Sequence, residues 1–156
     1  VNLIKNKIKF RLVIIGQGAN QNLIENYIVE NNLINQVKIV NFQKNPYKYL
    51  KASDIFILTS KYEGLPNVLL EAATLKKFII STKCPTGPRE ILMNGKAGEL
   101  VKMGDYKSIS KIIILFDKDR KKFNKNINLA FNSLNRFDYN INLKKYLNIT
   151  KKYFRD

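Results

Sequence analysis

The sequence contains no histidine and only one cysteine, Cys84, among its 156 residues. Without histidine there is no Ser-His-Asp triad and no histidine general base. A single cysteine without histidine also excludes a Cys/His zinc site and an internal disulfide. Whatever chemistry the protein performs must therefore use carboxylates, lysine, arginine, hydroxyl groups and the backbone.

Long apolar runs are missing as well. No stretch approaches the roughly 20 residues that span a bilayer, and the first residues lack the apolar region and cleavage site of a signal peptide. An unpaired cysteine suits a reducing compartment, so we expect a cytoplasmic protein. The length suffices for one domain with its own core. Residue 1 is Val rather than Met, so we expect a piece of a longer chain.

Acidic residues are few, 12 against 28 Lys and Arg, and the formal net charge is +16. Residues 1–52 carry 8 basic and 2 acidic side chains, residues 53–105 carry 7 and 6, and residues 106–156 carry 13 and 4. Nucleic-acid surfaces usually interleave aromatics with arginine, whereas only five of these cations are Arg. Lys, Asn and Ile make up 63 of the 156 residues, a bias expected of an AT-rich genome. We therefore expect no nucleic-acid partner.

Short β-branched runs alternate with segments of helical periodicity. Strands are predicted at residues 10–15, 37–42, 54–58, 78–81 and 99–101, and helices at 20–31, 46–51, 66–75, 88–93 and from 108 onward. This alternation predicts an α/β fold, a Rossmann-like parallel sheet with helices on both faces, in which strand 10–15 is buried. The Asn-rich segment 124–142 is expected to be irregular. Ligands bind such sheets at the carboxyl ends of the strands.

Two glutamates follow the third predicted strand, with seven residues between them. Glu63 lies in the loop after the strand, and Glu71 lies within the first two turns of the next helix. The N-terminus of that helix can hold a diphosphate, Gly64 brings no Cβ between backbone and ligand, and a carboxylate can accept two hydrogen bonds from a vicinal diol. Taken singly, either glutamate is more simply a helix cap or a solvated residue. Their combination with the turn at 64–67 favours a ligand site.

The segment Glu63-Gly-Leu-Pro-Asn-Val-Leu-Leu-Glu71 resembles the E-x7-E motif of retaining glycosyltransferases of group 1, or family 4, whose GT-B fold has two Rossmann-like domains. Flanking segments resemble the same family over about residues 10–116. They are the strand with Gly16-Gln-Gly18, the strand and turn at 37–42, the helix at 49–54, the turn Cys84-Pro-Thr-Gly87-Pro88 and the turn Asn94-Gly95-Lys-Ala-Gly98.

The resemblance implies a role for each matching position. Glu63 is the catalytic candidate, contacting hydroxyls of the transferred sugar and positioning the donor rather than acting as a base. Glu71 would bind the ribose hydroxyls. Backbone at residues 64–67 would hold the diphosphate or sugar, the two glycines after the first strand would admit the donor, and backbone near Phe42 would read the base. The implied donor-binding set is Gly16, Gly18, Phe42, Gly64, Leu65, Pro66, Asn67 and Glu71.

The function implied by the resemblance is transfer of a hexose-type sugar, with retention, from a UDP- or GDP-sugar to a glycan or polyprenyl-linked acceptor, as in cell-surface polysaccharide synthesis. No cofactor or metal is expected, because the family that the motif resembles needs none. The alternative is a non-catalytic nucleotide-binding or interaction module from a truncated or split gene.

One departure from the family pattern concerns the first residues. The family's donor domain opens with a strand, a Gly-Arg segment, a Lys and a helix, whereas residues 1–9 resemble only the end of that helix. Loss of that Arg and Lys removes a transition-state contribution of roughly several kcal/mol. We therefore expect residues 1–156 to be a C-terminal domain with a core at about 10–116 and a helical region at 117–156, without its first βα unit and without the N-terminal acceptor domain. Weak donor binding and no transfer are expected of this chain alone.

The last segment of the sequence combines cations with aromatic residues. Lys144, Lys145, Lys151, Lys152 and Arg155 accompany Tyr146, Tyr153 and Phe154. Such a segment favours peripheral contact with an anionic membrane, here the inner face of the plasma membrane. The AT-rich bias explains the lysines about as well.

Overall fold

The fold is seen in a computed structural model, which describes residues 1–154. Its strands are β1 (Leu12–Ile15), β2 (Val37–Val40), β3 (Ile55–Leu58), β4 (Phe78–Thr82) and β5 (Glu99–Val101). Its α-helices are α1 (Asn2–Lys5), α2 (Gln21–Glu30), α3 (Tyr47–Ala52), α4 (Asn67–Thr74), α5 (Pro88–Ile91), α6 (Tyr106–Lys118), α7 (Asn124–Asn132) and α8 (Tyr139–Tyr153). Turns of 3-10 helix lie at Met93–Gly95, Arg120–Phe123 and Leu134–Phe137. Arg155 of the predicted basic segment lies outside the described residues.

The predicted strands and helices are present, and their ends differ from the predicted ends by two residues or fewer. Local sequence explains this agreement. β1 stops at Gly16, whose φ of 136° is disfavoured for other residues. Helix α6 begins two residues earlier than predicted because the Asp105 carboxylate accepts hydrogen bonds from the Ser108 amide at 3.0 Å and the Ser108 hydroxyl at 2.6 Å.

The chain forms two compact units, the first comprising Val1–Ser53 and Asp105–Arg120. Within it β1 and β2 pair in parallel, with Ile15 opposite Val40. Helix α6 contacts α1. The buried apolar side chains of this unit are Ile28, Leu33 and Phe116.

Strand β1 is not buried, contrary to the prediction. Leu12, Val13 and Ile15 are 39%, 41% and 36% exposed. The reason is that hydrogen bonding divides the strands between two parallel sheets, β1-β2 and β3-β4-β5, where the sequence predicts one. An apolar run predicts a strand, but it does not predict which strands will pair. In a sheet of only two parallel strands, each strand has one unpaired edge, and its side chains are less buried than those in the middle of a larger sheet.

The second unit comprises Asp54–Gly104 and, among the described residues, 121–154. All five residues of its central strand β4 are buried. Helix α4 packs Leu69, Ala72 and Ala73 inward. The ring of Phe78 at the start of β4 lies 4.6 Å, between centroids, from that of Phe123. Both sheets are parallel and carry helices on both faces, as predicted.

The Asn-rich segment 124–142 is helical rather than irregular. Asparagine is a poor helix former, but tertiary contacts outweigh that preference. Ala130 of α7 is buried, and α7 packs against α4 and β4. After α7, the Arg136 guanidinium donates to the carbonyl oxygens of Glu90 and Ile91 at 3.2 and 3.1 Å. These contacts therefore hold the segment against the rest of the second unit.

Candidate functional site

The loop after β3 leads directly into α4 and carries the predicted motif. Pro66 is the N-cap, with φ −71° and ψ 99°, and its ring is buried. Proline is tolerated at this position because it lies outside the helix, where its missing amide hydrogen removes no intrahelical hydrogen bond. The buried face of α4 then fixes the helix against the sheet. The sequence therefore places the start of α4 at the carboxyl end of β3.

The N-terminus of α4 is open. The Leu69 amide donates to the Pro66 carbonyl at 3.0 Å. Among the described residues no side chain caps this end, and the first turn has no acidic residue. The amides of Asn67 and Val68, both exposed residues, precede the first intrahelical bonds. Free amides and the positive end of the helix dipole can bind an anion here.

The two glutamates of the motif lie on either side of this helix start. Glu63 is half-buried in the loop, and Glu71, also half-buried, is the fifth residue of α4. Within residues 1–154 neither carboxylate has a hydrogen-bond or ion-pair partner. A Cβ built on Gly64 would meet open space. The carboxylates are therefore free to accept hydrogen bonds from hydroxyl groups of a ligand beside the turn.

The residues of the turn differ in what they can contribute. Gly64, Leu65 and Asn67 are exposed and have amide hydrogens. Pro66 has none, and it is buried against Gly87, where a Cβ would come within 2.6 Å of the Pro66 Cδ. The predicted backbone donors are thus the other three, while Pro66 shapes the turn.

A second segment braces the first loop. It comprises the last residue of β4 and the loop that follows, residues 82–87, and we call it the bracing loop. The Thr82 hydroxyl donates to the Ser60 carbonyl at 2.6 Å, and the Cys84 thiol contacts the same oxygen at 3.2 Å. The Thr86 hydroxyl donates to the Glu63 carbonyl at 2.6 Å. Cys84 is only 1% exposed, so its thiol packs within the unit rather than facing a substrate.

Sequence reasoning did not single out the bracing loop as part of the site. The pair Gly87-Pro88 is a signal for a turn with positive φ, and φ of Gly87 is indeed 79°. Nothing local indicates the partner of Thr86, which lies 23 residues away in the chain.

The other predicted donor-binding residues belong to the first unit. Gly16 and Gly18 follow β1, and Phe42 follows β2. The Gly16 amide donates to the Val40 carbonyl at 2.9 Å. A Cβ on either glycine would meet open space. Because the two strands are parallel and in register, the three residues lie at the same end of the β1-β2 sheet.

Residues 1–154 contain neither a metal site nor a membrane-spanning helix. No group of three His, Cys, Asp or Glu side chains is placed to hold a metal ion. None of the described helices has the length and apolar character required to cross a membrane.

The fold and the motif loop define a class of protein. They form a Rossmann-like α/β unit in which an open helix N-terminus and two carboxylates, both without a partner among residues 1–154, follow a strand of a parallel sheet. This arrangement is suited to a diphosphate joined to sugars.

Comparison with known proteins identifies the family. The family model described as glycosyl transferases group 1 matches residues 1–132. The N-acetylgalactosamine-N,N'-diacetylbacillosaminyl-diphospho-undecaprenol 4-alpha-N-acetylgalactosaminyltransferase of Campylobacter jejuni is 32% identical over 120 residues, 75% of this chain and 33% of that protein. The chain therefore belongs to the group 1 glycosyltransferases, as its motif predicts.

Solved structures share the fold. A glycosyltransferase from Rickettsia africae matches with a TM-score of 0.85 and 22% identity over 99% of this chain and 43% of its own. HepE of Anabaena, solved in complex with UDP, matches with a TM-score of 0.79 and 23% identity over 91% of this chain and 41% of its own. These matches confirm the predicted GT-B type of fold. The chain spans 20% and 33% of the length of the first two curated relatives that it matches.

Proposed function

We propose that this chain is the donor-binding part of a glycosyltransferase that transfers a hexose-type sugar, with retention, from a UDP- or GDP-sugar to a glycan or lipid-linked acceptor. One observation carries the proposal. Glu63 and Glu71, both half-buried and unpaired within residues 1–154, flank the open N-terminus of α4. An ionised carboxylate is a strong hydrogen-bond acceptor, so the two glutamates can accept hydrogen bonds from hydroxyl groups of a ligand whose diphosphate lies at the helix start.

The proposed roles follow from where each group lies. The exposed amides at the start of α4 accept the diphosphate, whose charge the helix dipole favours. Glu71, one turn into α4, takes the ribose hydroxyls. Glu63, in the loop before the helix, takes hydroxyls of the sugar to be transferred. We propose that no metal takes part, because the helix N-terminus can itself bind the diphosphate.

Relatives support the donor and the acceptor class. The Campylobacter jejuni relative is named for transfer to a diphospho-undecaprenol acceptor, and the HepE structure contains UDP. Another relative is named for lipopolysaccharide 1,6-galactosyl transfer. A uridine nucleotide sugar and a polyprenyl-linked or polysaccharide acceptor are therefore the first substrates to test.

Titration calorimetry with UDP-, GDP- and ADP-sugars tests donor binding directly. We expect weak binding of one nucleotide class by the 156-residue chain. Binding should be about tenfold to 100-fold weaker after Glu71→Gln, because a hydrogen bond to a charged group is worth about 1.5–3 kcal/mol. Glu90→Gln on α5 is the matched control, with the same loss of charge on an exposed residue outside the motif. Equal affinity of the wild type and the Glu71 variant would contradict the ribose assignment.

An assay of sugar transfer separates the two functions that the sequence leaves open. We propose that the 156 residues alone bind donor without transferring sugar, and that the longest natural protein containing them transfers it. Turnover by the 156-residue chain would contradict the first statement. Binding without turnover in the longest natural protein, with any acceptor, would favour the non-catalytic module.

Helix α8 supports peripheral contact with an anionic membrane. The helix contains four lysines and no acidic residue. Helical spacing places Tyr139, Tyr146 and Tyr153, which are 74%, 65% and 76% exposed, on the face opposite the lysines. An exposed aromatic face with a basic opposite face fits the surface of a bilayer.

Cosedimentation with lipid vesicles tests this contact. We expect binding to vesicles of phosphatidylcholine with phosphatidylglycerol and little binding to phosphatidylcholine alone. Each lysine contributes about 1 kcal/mol at an anionic surface, so Lys151→Gln with Lys152→Gln should lower the partition coefficient roughly 30-fold. Lys107→Gln with Lys111→Gln on α6 is the control for charge alone. Equal losses in both double variants would count against α8 as the binding element.

A further inference from the structure

The main chain at Glu63 is held from outside its own loop. The Glu63 carbonyl oxygen accepts a 2.6 Å hydrogen bond from the Thr86 hydroxyl. The Glu63 carboxylate, in contrast, has no partner within residues 1–154. The position of the carboxylate therefore depends on how firmly the backbone beneath it is held.

The bracing loop is itself well anchored. Thr82 is the last residue of the buried strand β4, and its hydroxyl fixes the Ser60 carbonyl at 2.6 Å. Gly87 is buried against the Gly64 carbonyl and the Pro66 ring. The bracing loop thus contacts the motif loop at three successive places, which are Ser60, Glu63 and Gly64. Thr86 supplies the central one of these contacts.

We propose that Thr86 is a positioning residue for Glu63. This inference rests on the proposed function, in which Glu63 binds the transferred sugar. The hydroxyl of Thr86 fixes the peptide unit that follows Glu63, and so limits the directions in which the carboxylate can point. A displacement of about 1 Å at a reacting group can lower a rate by roughly 100-fold. Because Thr86 is exposed, its hydroxyl can be removed without opening a cavity in the core.

Replacing Thr86 by valine removes the hydroxyl and keeps the shape, and replacing it by serine keeps the hydroxyl. In the longest natural protein we expect Thr86→Val to lower kcat by about tenfold to 100-fold, with KM for the donor and Kd for UDP unchanged within about twofold. Thr86→Ser should restore most of kcat. Thr74→Val is the matched control, since it removes a threonine hydroxyl that donates to the Leu70 carbonyl at 2.9 Å; its kcat should stay at the wild-type value.

Several results would overturn the proposal. Wild-type kcat in Thr86→Val would do so, as would equal losses in the valine and serine variants. A parallel fall in UDP affinity and in the denaturation midpoint would show a merely structural role. Glu63→Gln, assayed beside these variants, separates failure of the positioning role from failure of the proposed function. If Glu63→Gln keeps the wild-type kcat, the proposed function is wrong. If kcat falls in Glu63→Gln but not in Thr86→Val, only the positioning role is wrong.

Discussion

Replacing Glu63 with glutamine is expected to lower kcat for sugar transfer by about 100-fold or more, the usual effect of removing one group that stabilises a transition state. Glutamine keeps the size of the side chain and removes its charge. Glu63 lies in the loop before α4, whereas Glu71 lies within the helix. We therefore expect the affinity for UDP, which lacks the transferred sugar, to change by less than about twofold.

The measurement is kcat and donor KM in the longest natural protein, together with Kd for UDP by calorimetry. Glu90→Gln serves again as the control for loss of one negative charge in the same unit, and it should behave as the wild type. If Glu63→Gln instead weakened UDP binding and left kcat intact, Glu63 would belong to the nucleotide site and its assignment to the sugar would be wrong. Unchanged values in both assays would remove Glu63 from the site.

The strands and the motif loop could be predicted because their signals are local. β5, for example, begins and ends at the predicted residues. The run Ile55–Leu58 is purely apolar and is followed by polar residues. Pro66 marks the start of α4, because proline is disfavoured in a helix interior and tolerated at its beginning. Each of these features depends on a few consecutive residues, so no knowledge of the rest of the chain is required.

The irregularity expected of the Asn-rich segment is wrong, although the helical region expected at 117–156 includes it, because its helices depend on distant contacts. Phe123, just before α7, packs on Phe78, and the Asn126 amide donates to the Lys96 carbonyl at 2.9 Å, 30 residues away. Helix propensity is a weak preference of up to about 0.7 kcal/mol per residue. Burial of one aromatic side chain outweighs several such terms, at about 1.5–3 kcal/mol.

The bracing of the motif loop was missed for the same reason. The bond from Thr86 to Glu63 joins two loops that follow different strands, and it forms only because β3 and β4 are parallel neighbours. A parallel sheet brings the residues after its strands to one end. The sequence predicts that end as the functional one, but the individual pairs between loops require the register, which a pattern of apolar residues does not supply.

Replacing Gly87 with alanine is expected to combine a loss of stability with a loss of donor binding. Its φ is 79°, and a Cβ would overlap the Gly64 carbonyl oxygen and lie 2.6 Å from the Pro66 Cδ. A positive φ costs an L residue about 1–2 kcal/mol, and overpacking in a filled site costs about 1–3 kcal/mol more. We therefore expect the free energy of unfolding to fall by about 2–5 kcal/mol.

Gly95→Ala is the matched control for this substitution. Gly95 also has a positive φ, of 94°, but a Cβ there would meet open space, so only the backbone cost of about 1–2 kcal/mol applies. Urea denaturation measures both variants, and UDP titration below the midpoint shows whether the motif loop has moved. In Gly87→Ala the added methyl must push the Gly64 carbonyl away from its present position, so we expect weaker UDP binding by the molecules that remain folded. In Gly95→Ala the UDP affinity should be that of the wild type.

Equal losses of stability in the two variants would contradict this prediction. They would mean that the motif loop moves away from the added methyl group at little cost in free energy, so that the bracing loop could not hold Glu63 in place.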